Sequence, residues 1–143
     1  GGGGGGGAWS TSGNDIYYTT GNVSVGNSTT SRNFTVYGNI EWTSDDRIKH
    51  NQKPIGFALD VLDKVEPKRY TRSNFGSGYN DAREEIGFIA QQIETIPELA
   101  CLVGGTPTMK TLNYTGLMAY LVAAVKELRE KNEELERKIS EKI

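Results

Sequence analysis

Apolar residues follow three different rhythms along this chain. In residues 1–43 they are sparse and set among Ser, Thr, Asn and Gly. Two short pieces alternate there, Asn-Val-Ser-Val-Gly-Asn at 22–27 and Phe-Thr-Val-Tyr-Gly-Asn-Ile at 34–40. Each joins β-branched or aromatic residues to a Gly-Asn break, the pattern of a short strand ending in a turn. Their likeness suggests a small repeat. Strands this short do not make a self-sufficient sheet, so they read as pieces of an intertwined, multi-chain β structure. The seven glycines that open the chain hold no fixed backbone, and this start reads as a fragment boundary rather than a native N-terminus.

The second rhythm, from residue 44 to about 115, is mixed. Ala58, Leu59, Val61, Leu62 and Val65 are spaced for a short amphipathic helix between Pro54 and Pro67. Lys68-Arg69-Tyr70-Thr71 reads as a strand and residues 73–83 as a Gly- and Asn-rich loop. Residues 85–90 read as a strand running into a helix over 91–96, before Pro97 opens a turn. Short helices and strands in this mixture predict an α+β unit.

The third rhythm is a heptad. A helix capped by Asn113 or Thr115 is expected to continue to the end of the chain. Met118, Leu121, Val125, Leu128, Asn132, Leu135 and Ile139 recur at spacings of 3, 4, 3, 4, 3 and 4. Met118, Val125, Asn132 and Ile139 take the a positions, and Leu121, Leu128 and Leu135 the d positions. Such a stripe predicts self-association through a coiled coil, with Asn132 fixing the register at some cost in stability. Lys131 at g is placed to pair with Glu136 at e of a neighbouring parallel helix. The pattern leaves two and three strands both open.

Composition narrows the functional classes. The chain has 143 residues, 16 basic and 18 acidic, with a net charge of −2. It lacks the basic excess that a general nucleic-acid or anionic-membrane binder needs. No apolar run reaches the length of a membrane span. The hydrophobic share is 36%, so a core is expected from part of the chain only. Cys101 is the single cysteine, within Glu-Leu-Ala-Cys-Leu-Val. It cannot form an intrachain disulfide and reads as a small buried hydrophobe. No metal or other cofactor is expected.

One stretch is not written for a core: Thr-Ser-Asp-Asp-Arg-Ile-Lys-His-Asn at 43–51. It is either a solvated turn, which composition alone favours, or a site where Ser44 and Lys49 act on the chain itself. A serine hydroxyl needs a base to become a nucleophile. A lysine is that base only when a poorly solvated pocket or cationic neighbours lower its pKa. Arg47 helps by charge, while Asp45 and Asp46 oppose, unless they point elsewhere or orient the backbone.

The order of strings along the chain adds context. Ser44-Asp45-x-Arg47-x-Lys49 is followed by Gly87-Phe88-Ile89-Ala90-Gln91 and then by Leu121-Val122-Ala123-Ala124-Val125-Lys126-Glu127-Leu128. Over residues 42–135 the chain resembles the intramolecular chaperone of phage tailspikes and tail fibres. This is the S74 peptidase family known from endosialidase tailspikes, also found in the membrane-bound myelin regulatory factor. The resemblance implies a β-rich end of a fibrous passenger over 1–43, a chaperone domain over 44–115 and a coiled-coil helix over 116–143, together an intertwined homotrimer. It implies that the module brings three passenger segments into register and then cuts itself off, a serine endopeptidase that turns over once. By motif position Ser44 is the nucleophile and Lys49 the general base, and Arg47 belongs to the motif without an assigned step. The cleavage site lies among Thr43, Ser44 and Asp45. The Thr43–Ser44 bond is favoured, because attack by Ser44 on the Thr43 carbonyl passes through a five-membered ring; Ser44–Asp45 stays open.

The partners so implied are two further copies and the chain's own passenger, with no nucleic acid and no membrane. The passenger would sit in a virion fibre or tailspike that serves host attachment, and the freed chaperone would remain in the host cytoplasm. The competing reading is a structural trimerisation tip that never cuts, with a receptor contact through Tyr17, Tyr18, Tyr37 or Trp42. Aromatic residues in a β-rich stretch are more often packing residues.

Overall fold

The computed structural model describes residues 7–30, 32–73 and 83–142. The first six glycines and most of the loop expected over 73–83 lie outside the described residues. The chain forms two units, Gly1–Gln52 and Lys53–Ile143, and its fold class is α+β, with small two-stranded sheets and one long C-terminal helix.

In the first unit β1 (Ser10–Ser12) pairs antiparallel with β2 (Asp15–Tyr17). Gly13 in the connecting turn has φ 61, a conformation open to glycine at no steric cost. Beyond this hairpin Trp9 and Tyr18 meet edge to face with ring centroids 6.2 Å apart. The two alternating pieces become β3 (Val23–Val25) and β4 (Phe34–Val36). They pair in parallel, Val23 opposite Phe34 and Val25 opposite Val36. The likeness of the two pieces is thus a structural one, since equivalent residues lie side by side. No described residue of this unit is buried. Ile16, Phe34 and Trp42 are all at least 60% exposed, so within one chain these strands have no core to pack on.

The second unit contains the core. α1 (Ala58–Asp63) lies within its expected helical segment, and α2 (Ala90–Glu94) overlaps the helix expected over 91–96 but starts one residue earlier. β5 (Lys68–Arg72) pairs antiparallel with β6 (Arg83–Gly87). The expected strand over 85–90 therefore stops at Gly87, and Phe88 and Ile89 lead into the helix. After a single 3-10 turn at Ala100–Leu102 comes a hairpin absent from the expectations, β7 (Val103–Thr106) with β8 (Met109–Leu112). α3 (Thr115–Glu141) closes the chain. Val61, Ile93, Ile96, Leu99 and Leu117 form the buried cluster, flanked by Val65, Phe88, Leu102, Val103, Leu112 and Tyr120. Cys101 is exposed, against expectation. Leu99 and Leu102, three apart, share the inner side of the 3-10 turn, and of the two residues between them Ala100 is half-buried and Cys101 faces out.

Gly87 leaves no room for a side chain. A Cβ there would collide with the hydroxyls of Tyr70 and Tyr114. Tyr114 Oη accepts from Phe88 N–H at 2.9 Å and donates to the Phe88 carbonyl at 3.2 Å. Its ring lies 5.5 Å from that of Phe88. Gln92 ties α2 to the end of α1, accepting from Glu66 N–H at 3.2 Å and donating to the Lys64 carbonyl at 2.8 Å. The string Gly87–Gln91 is therefore a strand-to-helix junction clamped from outside by a tyrosine.

α3 starts at Thr115, which is its first helical residue rather than its cap. Asn113 supplies the side-chain acceptor, its Oδ1 taking the Thr115 N–H at 3.1 Å. Among the described residues no helix is long and apolar enough to cross a membrane.

Candidate functional site

The stretch from Ser44 to Gln52 is built from local hydrogen bonds. Asp45 is extended, and its Oδ1 accepts from Arg47 N–H at 2.8 Å, an N-cap for the 3-10 turn Asp46–Ile48. The Arg47 guanidinium returns to the same carboxylate through Nε and Nη2, both at 2.9 Å. Ile48 N–H donates to the Asp45 carbonyl at 3.2 Å and Lys49 N–H to the Asp46 carbonyl at 3.1 Å. One tight turn thus joins two extended flanks, and Lys49 leaves it in extended conformation.

The turn brings together the two residues that the motif singled out. Lys49 Nζ donates to Ser44 Oγ at 2.5 Å, across five residues. Both side chains are exposed. The opposing carboxylates are occupied: Asp45 by Arg47, and Asp46 by the Gln52 amide at 2.6 Å. Both acids orient the turn. The Arg47 guanidinium and N–H hold the Asp45 carboxyl below its ordinary value, and the carboxylate raises Arg47 in return. The Arg47, Ile48 and Lys49 N–H groups are all engaged inside the turn. Thr43 is exposed beside Ser44.

Gln52 was not singled out by the sequence. Its Nε2 bonds both Asp46 Oδ1 and the Lys49 carbonyl, the latter at 3.0 Å. A polar residue three positions after a motif lysine carries no pattern that would have marked it.

The heptad residues lie on one open face of α3. Met118, Leu121, Val125, Leu128, Leu135 and Ile139 are all more than half exposed. Val122, at an e position, widens the apolar stripe. Asn132 donates to Glu136 of its own helix at 3.4 Å, and Arg129–Glu133 and Lys138–Glu134 pair along the helix at 3.0 and 3.2 Å. Among the described residues no cluster of His, Cys, Asp or Glu has the makings of a metal site.

No curated protein matches this chain. Residues 44–103, which begin at Ser44 and take in the Lys49 turn and the Gly87–Gln91 junction, match the model of the peptidase S74 family, the chaperone of endosialidase.

Proposed function

We propose that this chain is an intramolecular chaperone that trimerises a β-rich fibre or tailspike passenger and then releases itself by cutting at Thr43–Ser44. The observation that carries the proposal is the Lys49–Ser44 contact at 2.5 Å, at the start of a segment that matches a peptidase and chaperone family. Two further observations support it. The first unit has strands but no buried residue among those described, and the a/d stripe of α3 is open to solvent. Both leave apolar surface that further copies would cover, α3 as a parallel coiled coil and the strands as an intertwined sheet.

The chemistry follows from the pair. A neutral Lys49 amine takes the Ser44 Oγ proton as Oγ adds to the Thr43 carbonyl carbon. The bond from that carbon to Ser44 N breaks, and the nitrogen takes the proton back from Lys49. Thr43 is then an ester on Ser44 Oγ. Water hydrolyses the ester, leaving a Thr43 carboxylate on the passenger and a free Ser44 on the chaperone. Bringing a lysine from its ordinary value of about 10.4 to neutrality takes about 4–5 kcal/mol. In a single chain Lys49 is in water, so this desolvation comes from packing in the assembled trimer. The cut is thereby tied to assembly. A coiled coil formed early replaces a three-body search by an intramolecular one, and its removal leaves a fibre whose stability is kinetic. The passenger belongs to a virion, and the freed module stays in the cytoplasm of the host.

The exposure of Ser44 and Lys49 favours a second reading, a trimerisation tip with a silent pair. Denaturing mass spectrometry of the freshly made chain beside Ser44→Ala and Lys49→Ala separates the two. Two fragments meeting at residue 44 in the parent, absent from both variants, are expected. An intact parent chain sinks the peptidase and leaves the tip.

A further inference from the structure

The Ser44–Lys49 contact depends on where the lysine backbone is held, because fixing a long side chain costs it rotamer freedom. The Asp45–Arg47 cap forms the turn but touches neither reacting side chain. Gln52 does something different. A carboxamide nitrogen carries two hydrogens, and Gln52 Nε2 directs them to the Asp46 carboxylate at 2.6 Å and the Lys49 carbonyl at 3.0 Å. One atom therefore links the first residue of the turn to the main chain of the lysine. It also engages the one carboxylate of the turn that Arg47 does not hold.

We infer that Gln52 is a positioning residue for self-cleavage: its amide holds the Lys49 backbone so that the amine stays on Ser44 Oγ, and it keeps the Asp46 carboxylate turned to itself. The inference rests on the self-cleavage reading. Misplacing a reacting group by about 1 Å costs up to about 100-fold in rate. Gln52→Glu keeps the shape and removes both donors, so cleavage slows by about 10- to 100-fold. The new carboxylate also favours the charged form of Lys49, so the rise of rate with pH moves to higher pH. Gln52→Ala lowers the rate at every pH without that displacement. Adding Asp46→Asn to Gln52→Glu lets the amide at position 46 donate to the carboxylate at position 52 and removes the repulsion of two carboxylates, but leaves the Lys49 carbonyl without its donor, so only the part of the loss due to that repulsion is recovered.

The experiment is a timed denaturing mass spectrum of the full chain in these three variants and the parent, from mildly acid to mildly alkaline pH. Native mass and unfolding temperature are taken on the same samples. The expected result is slow cleavage in Gln52→Glu and Gln52→Ala with parental assembly and unfolding temperature, an alkaline displacement in Gln52→Glu alone, and partial recovery in the double variant. Parental rates in both single variants overturn the inference and leave self-cleavage standing. A slowing that tracks lost assembly or a lower unfolding temperature, with no pH displacement, reduces Gln52 to a structural part and overturns it too. A parent that never cuts overturns the self-cleavage reading, and the role of Gln52 falls with it.

Discussion

Glu127→Ala tests how the short helix α1 of the core unit is held. α1 has six residues and its N-cap, Phe57, offers no side-chain bond and sits in the left-handed region at φ 53 and ψ 38. Helices this short do not persist alone. The acceptor comes from another helix: Glu127 of α3 takes the Ala58 N–H at 2.6 Å and faces the Leu59 N–H at 3.5 Å. A hydrogen bond to a charged group contributes about 1.5–3 kcal/mol. Glu127 is half-buried, so water recovers part of this in the variant, and a loss of about 1–2 kcal/mol remains. In a unit of this size that lowers the unfolding temperature by about 5–15 °C. The assay is thermal unfolding by circular dichroism in a Ser44→Ala background, which keeps the chain whole. Glu130→Ala, an exposed acid lining the same α1–α3 groove, is the control and changes stability by less than about 0.5 kcal/mol. If Glu127→Ala unfolds with Glu130→Ala, the cross-helix cap does not hold α1 and the reasoning fails.

Three further outcomes are expected. Leu99→Ala empties a fully buried position and lowers stability by about 2–5 kcal/mol, read from denaturant unfolding; a loss below about 1 kcal/mol would show that the core is not where the buried cluster places it. Tyr70 is pushed up to about 12 from 10.0, first by its hydrogen bond to Tyr114 and then by burial. Its stabilising contribution is therefore whole below pH 10 and lost as pH rises from there through about 12. Tyr114→Phe brings the last phenolate transition seen by ultraviolet absorbance back toward 10.0. Leu128→Glu with Leu135→Glu abolishes trimerisation and cleavage together, and a monomer by sedimentation that still cuts itself refutes the coupling of the two.

What the sequence made legible follows from the range of the interaction responsible. Periodicity is local, so the helix over Thr115–Glu141 and the helical segments at Ala58–Asp63 and Ala90–Glu94 were all visible in the spacing of apolar residues. The Ser44–Lys49 contact was legible because one turn closes it, and Asp45 and Arg47 are close enough in sequence to cap that turn. The hairpin of β7 and β8 was missed because Val-Gly-Gly-Thr and Met-Lys-Thr-Leu hold too few apolar residues to show a period of two. The burial of Cys101 was misjudged because a 3-10 turn brings Leu99 and Leu102 to one side, whereas Glu-Leu-Ala-Cys-Leu-Val looks uniformly apolar. Glu127 and Tyr114 were invisible as partners, since each acts on backbone at least 26 positions away.

α3 carries two stripes, and the second explains why the first is free. Leu117, Tyr120, Ala124 and Glu127, at spacings of 3, 4 and 3, face the chain's own body through the core, α1 and its capping N–H groups. The a/d series begins one residue later at Met118, which rotates it by about 100° around the helix. A helix that packed its a/d leucines on its own body would have no face left for association. Here the body takes the g and c positions instead, and Gly116 allows that approach, since a Cβ there would collide with the Leu102 side chain. The body is thus fixed to the flank of the helix while the seam stays open. In the proposed trimer, helices that come together along that seam would carry their bodies in one defined orientation, as the proposed register-setting role requires. Gly116→Ala separates the two faces experimentally. It disturbs the flank at Leu102 and leaves every a and d residue in place, so association through the seam persists while the core unit loosens.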